Sequence, residues 1–249
     1  MVLGAISIAS VPPKWALAPV TALLGARNIV LLGAMGDFDV IWVLPLVAAL
    51  ILRVDRRWLA AGVAFGLACS VKQIVWLAAP FLLIQHWQFG GERRRGFGYA
   101  MVAGAVVFVA LNLPFFLDAP GVWIRNIITP IGQTLPKVPQ GVGVTLLSYV
   151  GLYAVSTTWH TAALGVVAGV LVLATWLYPE ELGYAVWLFP MPLLFVRLRS
   201  FASYFGSFTV VVLLATMATF GLVSWRLPNA RDLWTPQAEA TSSEVVADD

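Results

Sequence analysis

The sequence predicts an all-α fold, a polytopic integral membrane helix bundle of about seven apolar segments, some of them short or re-entrant. Three observations carry this. Of 249 residues 60% are hydrophobic and 11% charged, with a mean hydropathy of +0.88, too little polarity to clothe a soluble domain. Short basic clusters, RVDRR at 53–57 and GERRR at 91–95, punctuate the apolar runs, as cytoplasmic anchors do between spans. A lysine, Lys72, stands inside an apolar run, where a charge at bilayer depth costs at least about 2.5–3.5 kcal/mol and is expected to face protein, water or a ligand. The formal charge of +3 is too small to argue for nucleic acid, so membrane lipid is the expected partner. The single cysteine, Cys69, cannot form an intrachain disulfide. In MVLGAISIASVPPKW the lysine follows the apolar run, against the order of a secretory signal.

Each segment has its own reason. Residues 15–35 are apolar but interrupted by Arg27 and Asn28, which predicts one short helix and then an irregular stretch. Val40 to Leu52 is continuously apolar and stops at RVDRR, placing Gly36 to Asp39 on the opposite side of the membrane. About thirty residues then separate the two basic clusters. Split at Lys72-Gln73, they give two arms of some 14 residues, each ~21 Å long against a hydrocarbon core of ~30 Å. Such arms suit a hairpin whose tip ends within the protein. Residues 97–117 form a full-length run with Asn112 and Pro114 near its end. The stretch 118–143 holds four prolines and four glycines; Trp123, Ile124, Ile127 and Ile128 at helical spacing beside Arg125 predict a short surface helix within it. Two further apolar segments are expected at 144–159 and 160–178, then a turn at YPEELG, a run at 184–196 broken by Pro190 and Pro192, and a span from Phe201 to Val223. Residues 1–223 are thus read as one transmembrane domain and 224–249 as a polar, disordered tail. G-x-x-x-G steps at Gly62–Gly66 and Gly165–Gly169 allow close helix approach, within the chain or to a membrane-protein partner.

Few residues can carry chemistry. Asp37 and Asp39 head an apolar helix, where capping is as good an account of Asp39 as a site. The pair could also hold a divalent metal, but without a histidine or third acid no metal is assigned. Lys72 either snorkels to an interface or binds an anion, with the Gln73 amide beside it. Arg125, Arg197 and Arg199 rank lower, since arginines at helix ends commonly anchor to headgroups. His86 and His160, each beside a tryptophan, are read as interfacial packing.

The sequence GDFD at 36–39, followed by R-x-x-A-A-G-x-x-x-G-L-A from Arg57 and VKQIVWLAAPFLL from Val71, resembles the multi-spanning C-type glycosyltransferases. These include bacterial mannosyltransferase-like membrane proteins and eukaryotic enzymes that glucosylate lipid-linked oligosaccharide. Gly36, Asp39, Lys72 and Gln73 match the family pattern, and Phe38 replaces its commoner Asn. Arg199-Ser200 followed by Tyr204-Phe205 is similar to a later Arg-Ser and Tyr-Phe pairing. The resemblance covers about fifty residues well. It implies transfer of a sugar from a polyprenyl-phosphate donor to a lipid or glycan acceptor on the non-cytoplasmic face, in a bacterial plasma membrane. Asp37, Asp39, Lys72, Gln73, Arg125, Arg199 and Tyr204 would line the substrate site. The family's general base is an acid in the first non-cytoplasmic loop. No Asp or Glu precedes Gly36, so the family's first helix and catalytic loop are expected to be missing here, by truncation, a misplaced start or true loss, and no catalytic residue is assigned. Two other readings stay open: a transporter binding an anionic substrate at the broken segment, and a non-catalytic subunit assembling through its glycine faces.

Overall fold

The computed structural model describes residues 41–131, 140–141, 143–154, 156–197, 199–200 and 202–219. The helices are α1 (Val43–Val54), α2 (Trp58–Val71), α3 (Ala79–Gln88), α4 (Gly91–Asp118), α5 (Pro120–Ile131), α6 (Leu146–Tyr149), α7 (Thr157–Leu177), α8 (Pro179–Leu182), α9 (Pro190–Val196) and α10 (Ala202–Thr219). Two 3-10 segments, Gln73–Ala78 and Gly183–Leu188, precede α3 and α9. The fold is helical, as expected. The extended pairing among the described residues is a parallel bridge of two residues, β1 (Gln140–Gly141) on β2 (Arg199–Ser200).

Among the described residues two helices, α4 and α7, are long and apolar enough to cross a membrane. At 1.5 Å per residue the 28 residues of α4 reach ~42 Å and the 21 of α7 ~32 Å. The other helices among the described residues are shorter than these two. The segment expected at 144–159 holds the four-residue α6 and then a loop in which Gly151 takes φ 76°. The helix restarts only at Thr157, where the Ser156 hydroxyl accepts from the Trp159 N–H at 3.3 Å. The run at 184–196 likewise divides into a 3-10 segment and the seven-residue α9, with Pro190 and Pro192 in the first turn of α9. GERRR is not a loop between spans but the first turns of α4. The segment at 15–35 and the tail at 224–249 lie outside the described residues.

Helix α1 ends in a Schellman motif: the Arg57 N–H donates to Leu52 O at 2.9 Å and the Arg56 N–H to Arg53 O at 3.0 Å. That motif needs a left-handed residue, and here it is not glycine but Arg56, at φ 58°. From Trp58 the chain runs out along α2, breaks at Lys72, and returns through the first 3-10 segment and α3. Both ends of this excursion meet one residue of α4. The Trp58 ring lies edge-on to Phe97 at 6.2 Å, and His86 stacks on Phe97 at 5.3 Å. The hairpin expected between the two basic clusters is therefore present, with Lys72 at its tip.

The outgoing arm lies against α4 along the Gly62–Gly66 step. A Cβ at Gly62 would meet the carbonyl of Ala100, and one at Gly66 the carbonyl of Gly104. The absent side chains are what allow the two backbones to touch. This glycine face is thus occupied inside the chain; Gly165 and Gly169 on α7 face open space. Behind the hairpin, Trp42, Leu46 and Leu50 of α1 and its flank pack with Phe81, Leu82, Val186, Leu194 and Phe208 in one buried cluster.

Candidate functional site

The hairpin has a root, at the basic end, and a tip. At the root, Arg53 of α1 is 6% exposed and Gln85 of α3 fully buried. Arg53 Nη2 donates to Gln85 Oε1 at 2.6 Å. The Gln85 amide nitrogen in turn donates to Pro179 O at 3.1 Å and Gly183 O at 2.7 Å. Three rings, Phe97, Tyr184 and Trp187, have centroids 4.9, 5.5 and 5.8 Å from the guanidinium carbon. Such faces attract a cation, but Nη1 finds no hydrogen-bond partner. A cleft of about 340 Å³ opens here, lined among others by Arg53, Arg56, Arg93, Glu180, Glu181 and Tyr184.

At the tip, Lys72 leaves the helix with φ −147° and ψ 128°. Its N–H still closes the last turn onto Ala68 O at 3.1 Å, and its carbonyl accepts from the Val75 N–H at 3.3 Å to begin the 3-10 segment. Lysine thus sits between a helix C-terminus behind it and a helical N-terminus ahead. Orphan carbonyls at the end of α2 are served by side chains: Trp76 Nε1 donates to Cys69 O at 2.7 Å. Asn112 of α4 donates to Ser70 Oγ at 3.4 Å and to Phe108 O at 2.8 Å, and Trp76 lies edge-on to Phe108 at 5.1 Å. These contacts bring the tip to the Pro114 end of α4. A cation at a helix C-terminus complements the dipole, and the N-terminal side of the break suits an anion. The arrangement is that of a discontinuous helix, a common ligand-holding device in membrane proteins.

The other expected site residues are scattered. Gln73 opens the 3-10 segment, half-buried beside Lys72. Arg125 is exposed on α5, the short helix expected there. Arg199 is paired through its backbone with Gln140, and Tyr204 lies in the first turn of α10. Asp37 and Asp39 lie outside the described residues, so their approach to Lys72 is not seen. Among the described residues no group of three or more His, Cys, Asp or Glu could hold a metal ion.

His160 is buried, and packs against more than its neighbouring tryptophan. Its Nδ1 lies 2.7 Å from Val196 O and its Nε2 3.0 Å from the Tyr153 hydroxyl. Since a carbonyl only accepts, Nδ1 donates to Val196 O, and the one proton of the Tyr153 hydroxyl lies within reach of both Nε2 and Val144 O, the latter at 3.2 Å. Burial raises the Tyr153 pKa above its ordinary value, against a lowering hydrogen bond from Thr145, so the phenol stays neutral. The pair pins the start of α7 to the end of α9.

Sequence reasoning missed the root. Arg53 is the first residue of a basic cluster and reads as an anchor in water, whereas it is the buried one; Gln85 reads as an arm end. The available signal was that Arg53 continues the apolar run without a break, so that the turn of the helix carries it inward. The chain matches no protein-family model, no curated protein and no solved structure.

Proposed function

We propose that this chain is an integral membrane protein that forms part of a polyprenyl-phosphate-sugar-dependent glycosyltransferase, and that the break at Lys72 receives the phosphate of the donor. The membrane reading is supported by α4 and α7, which leave Val102, Val106, Val109, Phe115, Val166, Val170 and Leu173 exposed. Exposed apolar faces on helices of this length suit lipid. The donor reading is carried by one observation, the extended Lys72 at the tip of a hairpin between two helical ends. It joins the resemblance at Gly36, Asp39, Lys72 and Gln73 to a break in the helix that leaves a cation at its edge. Ser70 and Asn112 add polar groups beside the break.

A lysine ammonium on a phosphate contributes about 1.5–3 kcal/mol as a charge-assisted hydrogen bond. Lys72→Met keeps the stem and removes the charge, so it weakens binding of a polyprenyl-phosphate sugar by roughly ten- to a hundredfold. Lys72→Arg recovers part of this, because a planar fork does not replace a compact ammonium. Titration of wild type and both variants in detergent tests the proposal. Equal affinities in all three would make Lys72 a helix-end cation and remove the donor site from the hairpin tip.

A further inference from the structure

Among the described residues, the root of the hairpin holds a buried cation with no counter-ion. Arg53 meets an amide oxygen and three ring faces; no carboxylate among the described residues pairs with it. Removing a guanidinium from water costs several kcal/mol, and a neutral amide returns only part of that. One end of its fork, Nη1, is unpartnered. The same side chain lines the 340 Å³ cleft from its buried side.

Two more arginines line that cleft, and each is held there. Arg56 occupies the left-handed position of the Schellman turn. There a side chain is strained as glycine would not be. Backbone strain of this kind collects at functional positions. Arg93 stands on the first turn of α4, its guanidinium 3.4 Å from Glu180 with both side chains more than half exposed. An exposed pair of this sort is weak and exchanges readily for a stronger partner. Among the described residues, Glu180 and Glu181 are the acids lining the cleft against Arg53, Arg56 and Arg93, one positive charge in excess.

We propose that this cleft is an anion site for a phosphate group, with Arg53 as its buried floor and Arg56 and Arg93 at its mouth. The planar fork of Arg53, with its free Nη1, suits phosphate oxygens. The site is distinct from the break at Lys72, which lies at the other end of α2, ~21 Å away by helix rise, and it does not rest on the glycosyltransferase reading. The phosphate is that of an anionic lipid headgroup or a free phosphate.

The full chain carrying Lys72→Met, so that no anion held at the tip contributes, is titrated in detergent by calorimetry. The probes are inorganic phosphate and dihexanoyl phosphatidylglycerol, with dihexanoyl phosphatidylcholine as the zwitterionic control. A headgroup site binds phosphatidylglycerol above the control and is not displaced by inorganic phosphate. A free-phosphate site binds inorganic phosphate, which then displaces the lipid. In either case Arg93→Gln and Arg56→Gly each weaken binding about tenfold. Arg56→Gly is the decisive variant: it relieves the left-handed strain and raises thermal stability, so lost affinity cannot be put down to misfolding. Arg53→Gln abolishes binding if it folds, and the two mouth variants decide the matter if it does not. Absence of binding by both phosphate probes, or affinities unmoved in Arg56→Gly and Arg93→Gln, overturns the proposal and leaves Arg53 as a purely structural pin.

Discussion

The contact of α2 with α4 allows one substitution to be given opposite signs at two sites. Replacing glycine by alanine in a helix interior gains about 0.8–1.0 kcal/mol of intrinsic propensity. At Gly165 nothing lies within 4 Å of the new methyl group, so that gain stands alone and Gly165→Ala stabilises by up to ~1 kcal/mol. At Gly62 the new methyl meets the Ala100 carbonyl oxygen, and lies 2.7 Å from both the carbonyl carbon and Cα. Ordinary carbon contacts are about 3.5–4.0 Å, so α2 and α4 must part by on the order of 1 Å. All three obstacles are backbone and cannot rotate away. Overpacking of this kind costs about 1–3 kcal/mol, and a gap of that size forfeits a quarter to a half of each neighbouring dispersion contact. The net for Gly62→Ala is a loss of about 1–2 kcal/mol. Gly66→Ala parts the same two helices, so the double variant costs less than the sum of the singles. Unfolding of the purified chain in mixed micelles, followed by circular dichroism against denaturing detergent, measures each. Gly62→Ala as stable as wild type, or Gly165→Ala as damaging as Gly62→Ala, would refute the close backbone packing.

Two further outcomes follow from the same geometry. Gln85→Leu strips one donor from each of two carbonyls and the acceptor from Arg53, and breaking a buried network around a charge lowers stability by about 3–5 kcal/mol; retention of wild-type unfolding would show that the root is not held by Gln85. If α4 crosses the membrane, cysteines introduced at Arg94 and Val122 in a Cys69→Ala background label from opposite sides of sealed vesicles, and labelling of both from one side would remove α4 as a span.

Where local chemistry decides the backbone, the sequence was readable. The break at Lys72 and the short helix around Trp123 follow from a charge in an apolar run and from apolar residues at helical spacing, and α7 covers most of the apolar segment expected at 160–178. Hydropathy misled at 144–159, where apolar residues fill a loop because Gly151 and the Ser156 cap outweigh them. It misled again at Arg53, whose burial depends on Gln85, Phe97, Tyr184 and Trp187, between 32 and 134 residues away along the chain. Of the expected site, Lys72 and Gln73 are adjacent in sequence and remain so in space, whereas Arg125 and Arg199 come from elements that the sequence cannot position relative to them.

The turn after α7 looks like an ordinary exposed acidic loop, but the two hydrogens of the Gln85 amide are shared between Pro179 O and Gly183 O. A single planar NH₂ group therefore sets the spacing of the two carbonyls that bracket Glu180, Glu181 and Leu182. Exposed loop tips are usually where a chain accepts extra residues; here an added residue would move one carbonyl out of reach and uncouple the turn from Arg53. A fluorophore on this face belongs on a single side chain of α4 such as Arg95, which is exposed and needs no residue added to the chain.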